Sequence, residues 1–227
     1  HLIVCISWTY GSGGVNIGFK LADKLKINFY DAEIFEAVLK RLEAQKDSIQ
    51  DSVSYGIKPG IKKEPAHDQD ANVNPSEAFI PERHLTLRQR MREFSRFHGL
   101  PKRDAVFFNE SDLLVDMAKK EDFVILGRCG DAIMANNNIP HISIYITAPF
   151  EQRIKRAMEI DSSLTVKQAR HMLKHLDHVH SQYYHYYTNR NWGHSNNYDL
   201  CINSASYGID GTVDFIYRMI TAREEDK

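Results

Sequence analysis

The sequence predicts an α/β protein in which a parallel β-sheet carries helices on both faces. Two observations support this fold class: short apolar runs of the length of buried strands, and helical patterns of apolar residues between them. Because this alternation is typical of a parallel sheet, we expect the ligand site at the carboxyl ends of the strands. A chain of 227 residues suits a single domain over residues 1–227.

The individual elements follow from the same two patterns. Four apolar runs predict buried strands, at residues 2–6, 123–126, 142–146 and 198–202. A shorter run ends at Phe29 and Tyr30, and it predicts the second strand of a βαβ unit at the start of the chain. Helical spacing predicts six helices, at residues 18–25, 34–44, 111–119, 151–159, 166–187 and 211–222.

One segment departs from this alternation. Residues 51–74 are rich in Pro, Gly, Asp and Lys and have almost no apolar periodicity, which predicts a long loop or insertion. Helical spacing returns over residues 85–97 with a basic face. That face is open to two interpretations, a solvated surface or a surface that faces phosphate, and its members are Arg83, Arg88, Arg90, Arg92 and Arg96.

Composition limits the class of partner. The formal net charge is −1, so no global field favours nucleic acid or a membrane surface. No window approaches the ~20 apolar residues of a membrane helix, and no signal peptide is visible. The three cysteines lie in or beside apolar runs, and we expect them to be buried and reduced in a cytoplasmic protein. The chain starts at His1 rather than Met, so we expect a few residues to precede it.

A glycine-rich segment, Tyr10-Gly-Ser-Gly-Gly-Val-Asn-Ile-Gly, follows the first strand. Glycines let a backbone bend around an anion, and the free N–H groups of a helix start point at it. The usual P-loop places Lys and then Ser or Thr after its last glycine. Aligned on Gly13, this chain has Gly14 and Val15 at those places. The segment is therefore either a phosphate loop without its usual cation or an ordinary turn.

Two further segments carry positive charge to the expected site. Arg128 follows the strand at 123–126, where it could face a ligand or pair with an acid such as Asp131. Arg153 and Arg156 are three residues apart and share a helix face. A basic helix hairpin over a phosphate loop suits phosphoryl transfer, in which a closing arginine can contribute ~10³–10⁵ in rate. A solvated basic face is the alternative.

The ordered set of motifs resembles the cytidylate kinase-like family. It consists of the glycine loop with the following Phe-Tyr-Asp, then Gly-Arg-Cys, then Ala-Pro with Arg-Ile and Arg, and last Asp, Tyr-Tyr, Tyr-Thr, Trp-Gly, Tyr-Asp-Leu and Ile-Asn. The resemblance runs from Leu2 to about Ala222 and is poor between Asp51 and Asp104. It implies a three-layer P-loop nucleoside-monophosphate-kinase fold with a helical lid. It also implies a monophosphate-binding insertion at residues 35–105 and the lid at 150–195.

The resemblance implies phosphoryl transfer from ATP, with Mg²⁺, to a nucleoside monophosphate, with CMP or dCMP as the acceptor. On this basis the ATP phosphates are bound by the glycine loop, which comprises Gly11, Ser12, Gly13, Gly14, Val15 and Asn16. Asp31 and Arg128 would face the monophosphate, Arg128, Arg153 and Arg156 would act in catalysis, and Asp177 and His180 would belong to the lid. Mg²⁺ is expected to arrive with ATP rather than in a site made by protein ligands alone. Neither nucleic acid nor a membrane is an expected partner, and the oligomeric state is left open.

Three positions depart from the family pattern. Val15 stands where many members have Arg, Asn16 where they have an acid, and His180 where they have a lid Arg. A neutral His in place of Arg removes a charge-assisted phosphate contact, worth about 1.5–3 kcal/mol. The departures keep two alternatives open: a nucleotide-binding protein with a sensing or scaffolding role, and a kinase for another small acceptor.

Two other patterns have simpler interpretations. His171, His175 and His178 share a helix face at spacings that could ligate a metal, but exposed His on a polar helix is the commoner case. The tyrosines between residues 183 and 187 could stack on a base, although packing is the commoner role of helical aromatic residues.

Overall fold

The computed structural model describes residues 1–31 and 102–225, and in these residues five parallel strands form one sheet in the order β2-β3-β1-β4-β5. The strands are β1 (Ile3–Trp8), β2 (Asn28–Tyr30), β3 (Phe123–Leu126), β4 (Ile142–Thr147) and β5 (Leu200–Asn203). The helices are α1 (Gly14–Leu25), α2 (Lys102–Ala118), α3 (Gly130–Asn136), α4 (Phe150–Ile160), α5 (Val166–Thr188) and α6 (Ser204–Glu225). The backbone of α6 is interrupted at Gly208. This architecture confirms the predicted fold class.

Strand β1 lies at the centre of the sheet and organises the site. It pairs with β3 on one side, where Ile3 is opposite Phe123, and with β4 on the other, where Val4 is opposite Ile142. All six residues of β1 are buried, as expected for a strand covered on both faces. Because the three strands are parallel and in close register, the segments that follow them meet at one edge of the sheet.

Alternate side chains of β1 enter two separate cores. Val4, Ile6 and Trp8 belong to the core that contains α1 and α6, whereas Ile3 and Cys5 belong to the core that contains α2 and α3. Burial of one such aliphatic side chain stabilises the fold by about 1.5–3 kcal/mol. The two cores fix the sheet between two helical layers, so that its carboxyl edge is covered by loops and not by these layers.

A third, smaller apolar cluster joins α4 and α5 into a hairpin. It contains Ile154 from α4, Leu173 and Leu176 from α5, and Tyr10 from the loop after β1. The capping box of Thr165 and Gln168 starts α5, which satisfies two backbone donors at that end. Because Tyr10 belongs to the apolar cluster, the hairpin packs against the sheet edge through this residue.

Most of the predicted elements are present, with shifted ends. Helix α1 begins at Gly14 rather than at residue 18, because the last glycine of the loop already belongs to the helix. Helix α3 was not predicted, since its seven residues are too few for a helical pattern. The predicted helix at 34–44, the insertion at 51–74 and the basic segment at 85–97 lie outside the described residues.

The cysteine prediction needs one correction. Cys5 and Cys129 are buried as expected, but Cys201 is exposed. It lies on β5, an edge strand of the sheet whose residues are mostly half-buried or exposed. None of the helices in the described ranges has both the length and the apolar character needed to cross a bilayer.

Candidate phosphate-binding site

The glycine loop connects β1 to α1 at the carboxyl edge of the sheet. Gly11 and Gly13 both have left-handed backbones, with φ of 78° and 80°, which glycine adopts without steric cost. The Ser12 amide donates to the Thr9 carbonyl at 3.1 Å, and Ser12 is fully buried. The loop is therefore a tight turn whose shape depends on its glycines.

The start of α1 presents backbone donors at the same place. The Ile17 amide donates to the Gly13 carbonyl at 2.9 Å, and it makes the first hydrogen bond of the helix. The amides of Gly14, Val15 and Asn16 come before it, so no carbonyl of the helix can accept from them. Amides without an acceptor in the helix and the positive end of the helix dipole together favour an anion.

Gly14 is held without a side chain by the strand beneath it. A β-carbon at Gly14 would overlap the Trp8 side chain, with Cδ1 only 2.7 Å away. Trp8 is the last residue of β1 and is 7% exposed. A lysine at position 14, where the usual P-loop has it, would have no room in this loop.

The hairpin of α4 and α5 contacts the two left-handed glycines of the loop. A β-carbon at Gly11 would lie 2.9 Å from the Arg153 carbonyl oxygen. A β-carbon at Gly13 would overlap the guanidinium of Arg156, with Cζ at 3.1 Å. The predicted shared face of these two arginines is thus the face that α4 turns towards the glycine loop.

Arg153 ties the loop to both helices of the hairpin. Its Nη1 donates to Oδ2 of Asp177 at 2.7 Å and to the Tyr10 carbonyl at 3.1 Å. The Tyr10 amide donates in turn to Oδ1 of Asp177 at 3.2 Å. Arg153 is 7% exposed, so this network is largely shielded from water. Burial raises the pKa of Asp177, and the hydrogen bond from Arg153 opposes that shift.

Arg128 lies in a strained bend between β3 and α3. Gly127, Arg128 and Cys129 have consecutive φ values of 66°, 53° and 57°. A left-handed backbone costs a non-glycine residue about 1–2 kcal/mol, so packing must hold this bend in place. It directs Arg128 to the carboxyl edge of the sheet, beside the end of β1.

One partner of Arg128 is an acid that the sequence did not indicate. Its Nη1 lies 3.7 Å from Oε1 of Glu110 on α2, and the two side chains are 12% and 1% exposed. Asp131, the acid considered from the sequence, instead accepts a hydrogen bond of 2.6 Å from the Tyr184 hydroxyl. Glu110 lies in a helix that follows the undescribed segment, and so its proximity to Arg128 is a long-range contact.

Aromatic side chains surround His180 above the same edge. The ring stacks on Trp192, with centroids 5.1 Å apart, and meets Trp8 edge-on at 5.8 Å. Its Nδ1 is 3.2 Å from the Tyr10 hydroxyl. Burial, with a smaller effect from the positive charge of Arg128, lowers the pKa of His180 to about 4. The ring is therefore neutral at pH 7, as its identity alone led us to expect.

Trp192 adds a polar group to this aromatic cluster. Its indole Nε1 is buried and has no hydrogen-bond partner among the residues that the structure describes. Three tyrosines of α5 have the packing role considered from the sequence: Tyr184 is buried in the core of α2 and α3, and Tyr183 and Tyr187 pack against it. Tyr186 is 54% exposed.

The remaining predicted residues are placed as follows. Val15 is buried and Asn16 is half-buried at the start of α1, whereas Asp31 directly follows β2, two strands away from the loop. Within the described ranges, no group of three His, Cys, Asp or Glu side chains could hold a metal ion. An open depression of about 320 Å³ lies at the opposite, amino edge of the sheet, beside His1 and Asp122, and takes no part in this site.

The site brings together most of what the sequence suggested. The glycine loop, Arg128, Arg153, Arg156, Asp177 and His180 all lie at the carboxyl edge. Sequence reasoning missed Trp8, Tyr10, Glu110 and Trp192. Only Trp8 and Tyr10 gave a usable signal, because they flank the turn directly after the first strand.

Comparison with known proteins gives a family and a fold. The model of the cytidylate kinase-like family matches residues 3–206. No curated protein matches the chain. The crystal structure of an uncharacterized protein from Eubacterium ventriosum ATCC 27560 is similar with a TM-score of 0.65 and 23% identity, over 97% of this chain and 99% of that one. Shikimate kinase from Bacteroides thetaiotaomicron is similar with a TM-score of 0.50 and 12% identity, over 97% and 98%. The chain thus shares the P-loop kinase fold.

Proposed function

Since this chain belongs to the cytidylate kinase-like family, we propose that it transfers the γ-phosphoryl group of ATP to a nucleoside monophosphate, with CMP or dCMP as the acceptor. The observation that carries the proposal is the convergence of a glycine loop and three arginines at one edge of the sheet. Phosphoryl transfer depends mainly on positioning and on positive charge around the transferring group. This edge supplies both.

The donor phosphates would be bound by the loop from residue 11 to residue 16. The amides of Gly14, Val15 and Asn16 have no acceptor within α1, and the left-handed turns at Gly11 and Gly13 allow the tight backbone bend that a phosphate loop needs. Mg²⁺ would enter with ATP and offset the charge of the phosphates. Val15 offers no hydroxyl to the metal, and the Ser12 hydroxyl donates to the Ile146 carbonyl at 3.4 Å.

The acceptor would lie beside Arg128 and Asp31, at the ends of β3 and β2. The guanidinium of Arg128 has the planar fork that suits a phosphate. Its Nη1 lies 3.7 Å from Oε1 of Glu110, and this ion pair positions the side chain. Arg153 would act through the loop, because its contacts fix Tyr10 and Asp177. The lid would comprise the hairpin of α4 and α5.

A second candidate function is nucleotide binding without turnover. It is favoured by His180, which is neutral and packed between aromatic rings where family members have an arginine. A third is phosphorylation of another small acceptor, since the predicted insertion that would contact the acceptor departs most from the family pattern.

The test is ADP production from Mg-ATP with a panel of nucleoside monophosphates and with shikimate and gluconate as other acceptors. We expect turnover with CMP or dCMP. Arg128→Lys is the informative variant, because it keeps a charge for buried Glu110 but removes the planar fork; we expect it to lower kcat/KM at least tenfold. Exposed Lys155→Met, purified identically, is the control for a substitution outside the site and should keep the wild-type kcat/KM, whereas the activity of a contaminating kinase would be equal in all three preparations. Nucleotide binding without turnover on any acceptor would replace the kinase proposal by the second candidate.

A further inference from the structure

Two tyrosines fix the segment between α5 and β5, residues 189–199, which we call the return loop. Gly193 in this loop has a left-handed backbone, with φ of 74°. A β-carbon at Gly193 would lie 2.6 Å from the hydroxyl oxygen of Tyr145 on β4, and the Gly193 amide donates to the Tyr198 hydroxyl at 3.4 Å. Both tyrosines are buried. The return loop is therefore held against the sheet directly after Trp192.

Trp192 extends from this fixed point to the candidate site. Its indole meets the Tyr145 ring edge-on, with centroids 5.5 Å apart, and it stacks on His180 with centroids 5.1 Å apart and 17° between the planes. The indole N–H is buried, and no residue within the described ranges accepts a hydrogen bond from it. Because a buried donor without an acceptor destabilises the folded state, stability alone does not account for an indole at this position.

His180 lies between Trp192 and the aromatic residues that precede the glycine loop. Its ring meets Trp8 edge-on at 5.8 Å, and its Nδ1 is 3.2 Å from the Tyr10 hydroxyl. Tyr10 comes directly before Gly11 in the chain. The contacts of the hairpin hold the Tyr10 backbone, whereas His180 contacts the end of its side chain. A continuous series of contacts therefore joins the return loop to the start of the glycine loop.

We propose that Trp192 is a positioning residue for the glycine loop. It holds the His180 ring against Trp8 and Tyr10 and so fixes the side chains on the strand side of the loop, without contacting the nucleotide itself. The proposal rests on the proposed function, because it requires the glycine loop to bind the phosphates of ATP. It gives a role in that binding to the return loop, which lies outside both the glycine loop and the hairpin of α4 and α5.

The first experiment measures the Kd of Mg-ATP for the full chain by calorimetry. We expect Trp192→Leu, which removes the stacked ring, to raise this Kd about tenfold. Trp192→Phe keeps a ring that can stack on His180, and its Kd should stay within about threefold of the wild-type value. Asn191→Ala is the matched control, because Asn191 is the exposed neighbour of Trp192 in the return loop; it should bind as the wild type does.

A double-mutant cycle tests whether Trp192 acts through His180. His180→Gln removes the ring on which the indole stacks but keeps a group that can hydrogen-bond to Tyr10. If Trp192 acts through this ring, Trp192→Leu should raise the Kd of Mg-ATP much less in the His180→Gln chain than in the wild type. A purely structural role would lower the melting temperature without producing this coupling in the Kd.

Three results would overturn the proposal while leaving the proposed function intact. The first is wild-type affinity for Mg-ATP in Trp192→Leu. The second is an equal loss in Trp192→Leu and Trp192→Phe, which would assign a direct ligand contact to the indole N–H. The third is an equal rise in Kd in the wild-type and His180→Gln chains. A wild-type chain that does not bind Mg-ATP would overturn the proposal and the proposed function together.

Discussion

Arg153 on α4 and Asp177 on α5 meet at 2.7 Å directly above the Tyr10 backbone. Their side chains are 9% and 21% exposed, so the ion pair is mostly removed from water. It connects the hairpin of α4 and α5 to the turn that follows the central strand. A second ion pair between the same helices, Arg170 with Glu151, has the same N–O distance, but its side chains are 41% and 71% exposed. Comparison of the two ion pairs therefore measures how burial changes their contribution to stability.

Asp177→Asn should lower the free energy of unfolding by about 3 kcal/mol, because it leaves a buried guanidinium without its counter-charge. Glu151→Gln removes the exposed pair and should change the free energy by no more than about 1 kcal/mol. Urea denaturation of the two variants measures both effects. Equal, small losses would show that the buried pair does not hold the hairpin.

The neutral state of His180 should appear as a pH dependence of stability. Its pKa is about 4 in the folded chain against 6.5 for an unperturbed ring, so below pH 6.5 the unfolded chain binds the proton more readily. The contribution of the neutral His180 ring to the free energy of unfolding is present above pH 6.5 and is lost as the pH falls towards 4. The loss amounts to at most about 3 kcal/mol.

His180→Gln should remove this part of the profile while keeping a group that can hydrogen-bond to Tyr10. The measurement is the free energy of unfolding of the wild type and the variant at pH 7 and at pH 4.5. His171→Gln, on the exposed face of the same helix, is the control and should keep the wild-type profile. A variant profile parallel to that of the wild type would contradict the prediction.

Gly14→Ala and Gly211→Ala should change stability in opposite directions. Both glycines are in helices, where Ala is favoured by up to ~1 kcal/mol. At Gly211 the new β-carbon would lie 3.3 Å from Cβ of Tyr207, so a shift of a few tenths of an ångström makes room for it. At Gly14 the new β-carbon overlaps Trp8, and overpacking of this kind costs about 1–3 kcal/mol.

Thermal unfolding of the two alanine variants shows directly whether each substitution raises or lowers the stability. We expect a higher melting temperature for Gly211→Ala and a lower one for Gly14→Ala. Fluorescence of both variants in a Trp192→Phe background, which leaves Trp8 as the remaining tryptophan of the chain, provides a second readout, since only the Gly14 variant should displace the indole. A stabilised Gly14→Ala would mean that the loop has room for a side chain after all.

Tyr184→Phe should destabilise the chain by about 1–3 kcal/mol, because buried Asp131 loses the hydroxyl that donates to it at 2.6 Å. Burial raises the pKa of Asp131, and the Tyr184 hydrogen bond opposes that shift. Without the hydroxyl the folded-state pKa rises further, and stability then falls as the pH rises through it. The loss should therefore be larger at pH 7 than at pH 4.

The comparison for this variant is Tyr186→Phe. Tyr186 lies two residues further along α5 and is 54% exposed, so the loss of its hydroxyl should change the free energy of unfolding by less than about 0.5 kcal/mol. Denaturation of both variants at the two pH values separates the effects. A Tyr184→Phe loss that is independent of pH would exclude Asp131 as its cause.

The strands were predictable because burial on both faces produces continuous apolar runs. Strand β3 was predicted at its observed ends, and β1 and β4 differ from the predictions by one or two residues at an end. Helix α3 was missed because it has only seven residues and follows a bend of three left-handed residues. Local spacing does not reveal such a bend, because packing against other elements stabilises it.

The candidate site was predictable only where its residues are close in sequence. The glycine loop and the face shared by Arg153 and Arg156 follow from local patterns. The contact between Arg128 and Glu110 joins the bend after β3 to helix α2, and no rule of sequence spacing connects these two residues. The same is true of Trp192 and His180, which meet only because the chain folds back after α5.

The central position of β1 also has a consequence for how the chain reaches its fold. Residues 3–6 pair with residues 123–126, and residues 4–8 pair with residues 142–146, so β1 can be paired only after the segment up to β3 and β4 has been synthesised. Non-local pairing of this kind slows folding, and synthesis proceeds at about 5–20 residues per second. The apolar strand that carries the glycine loop therefore stays exposed on the nascent chain until β3 and β4, which cover its two edges, have been synthesised.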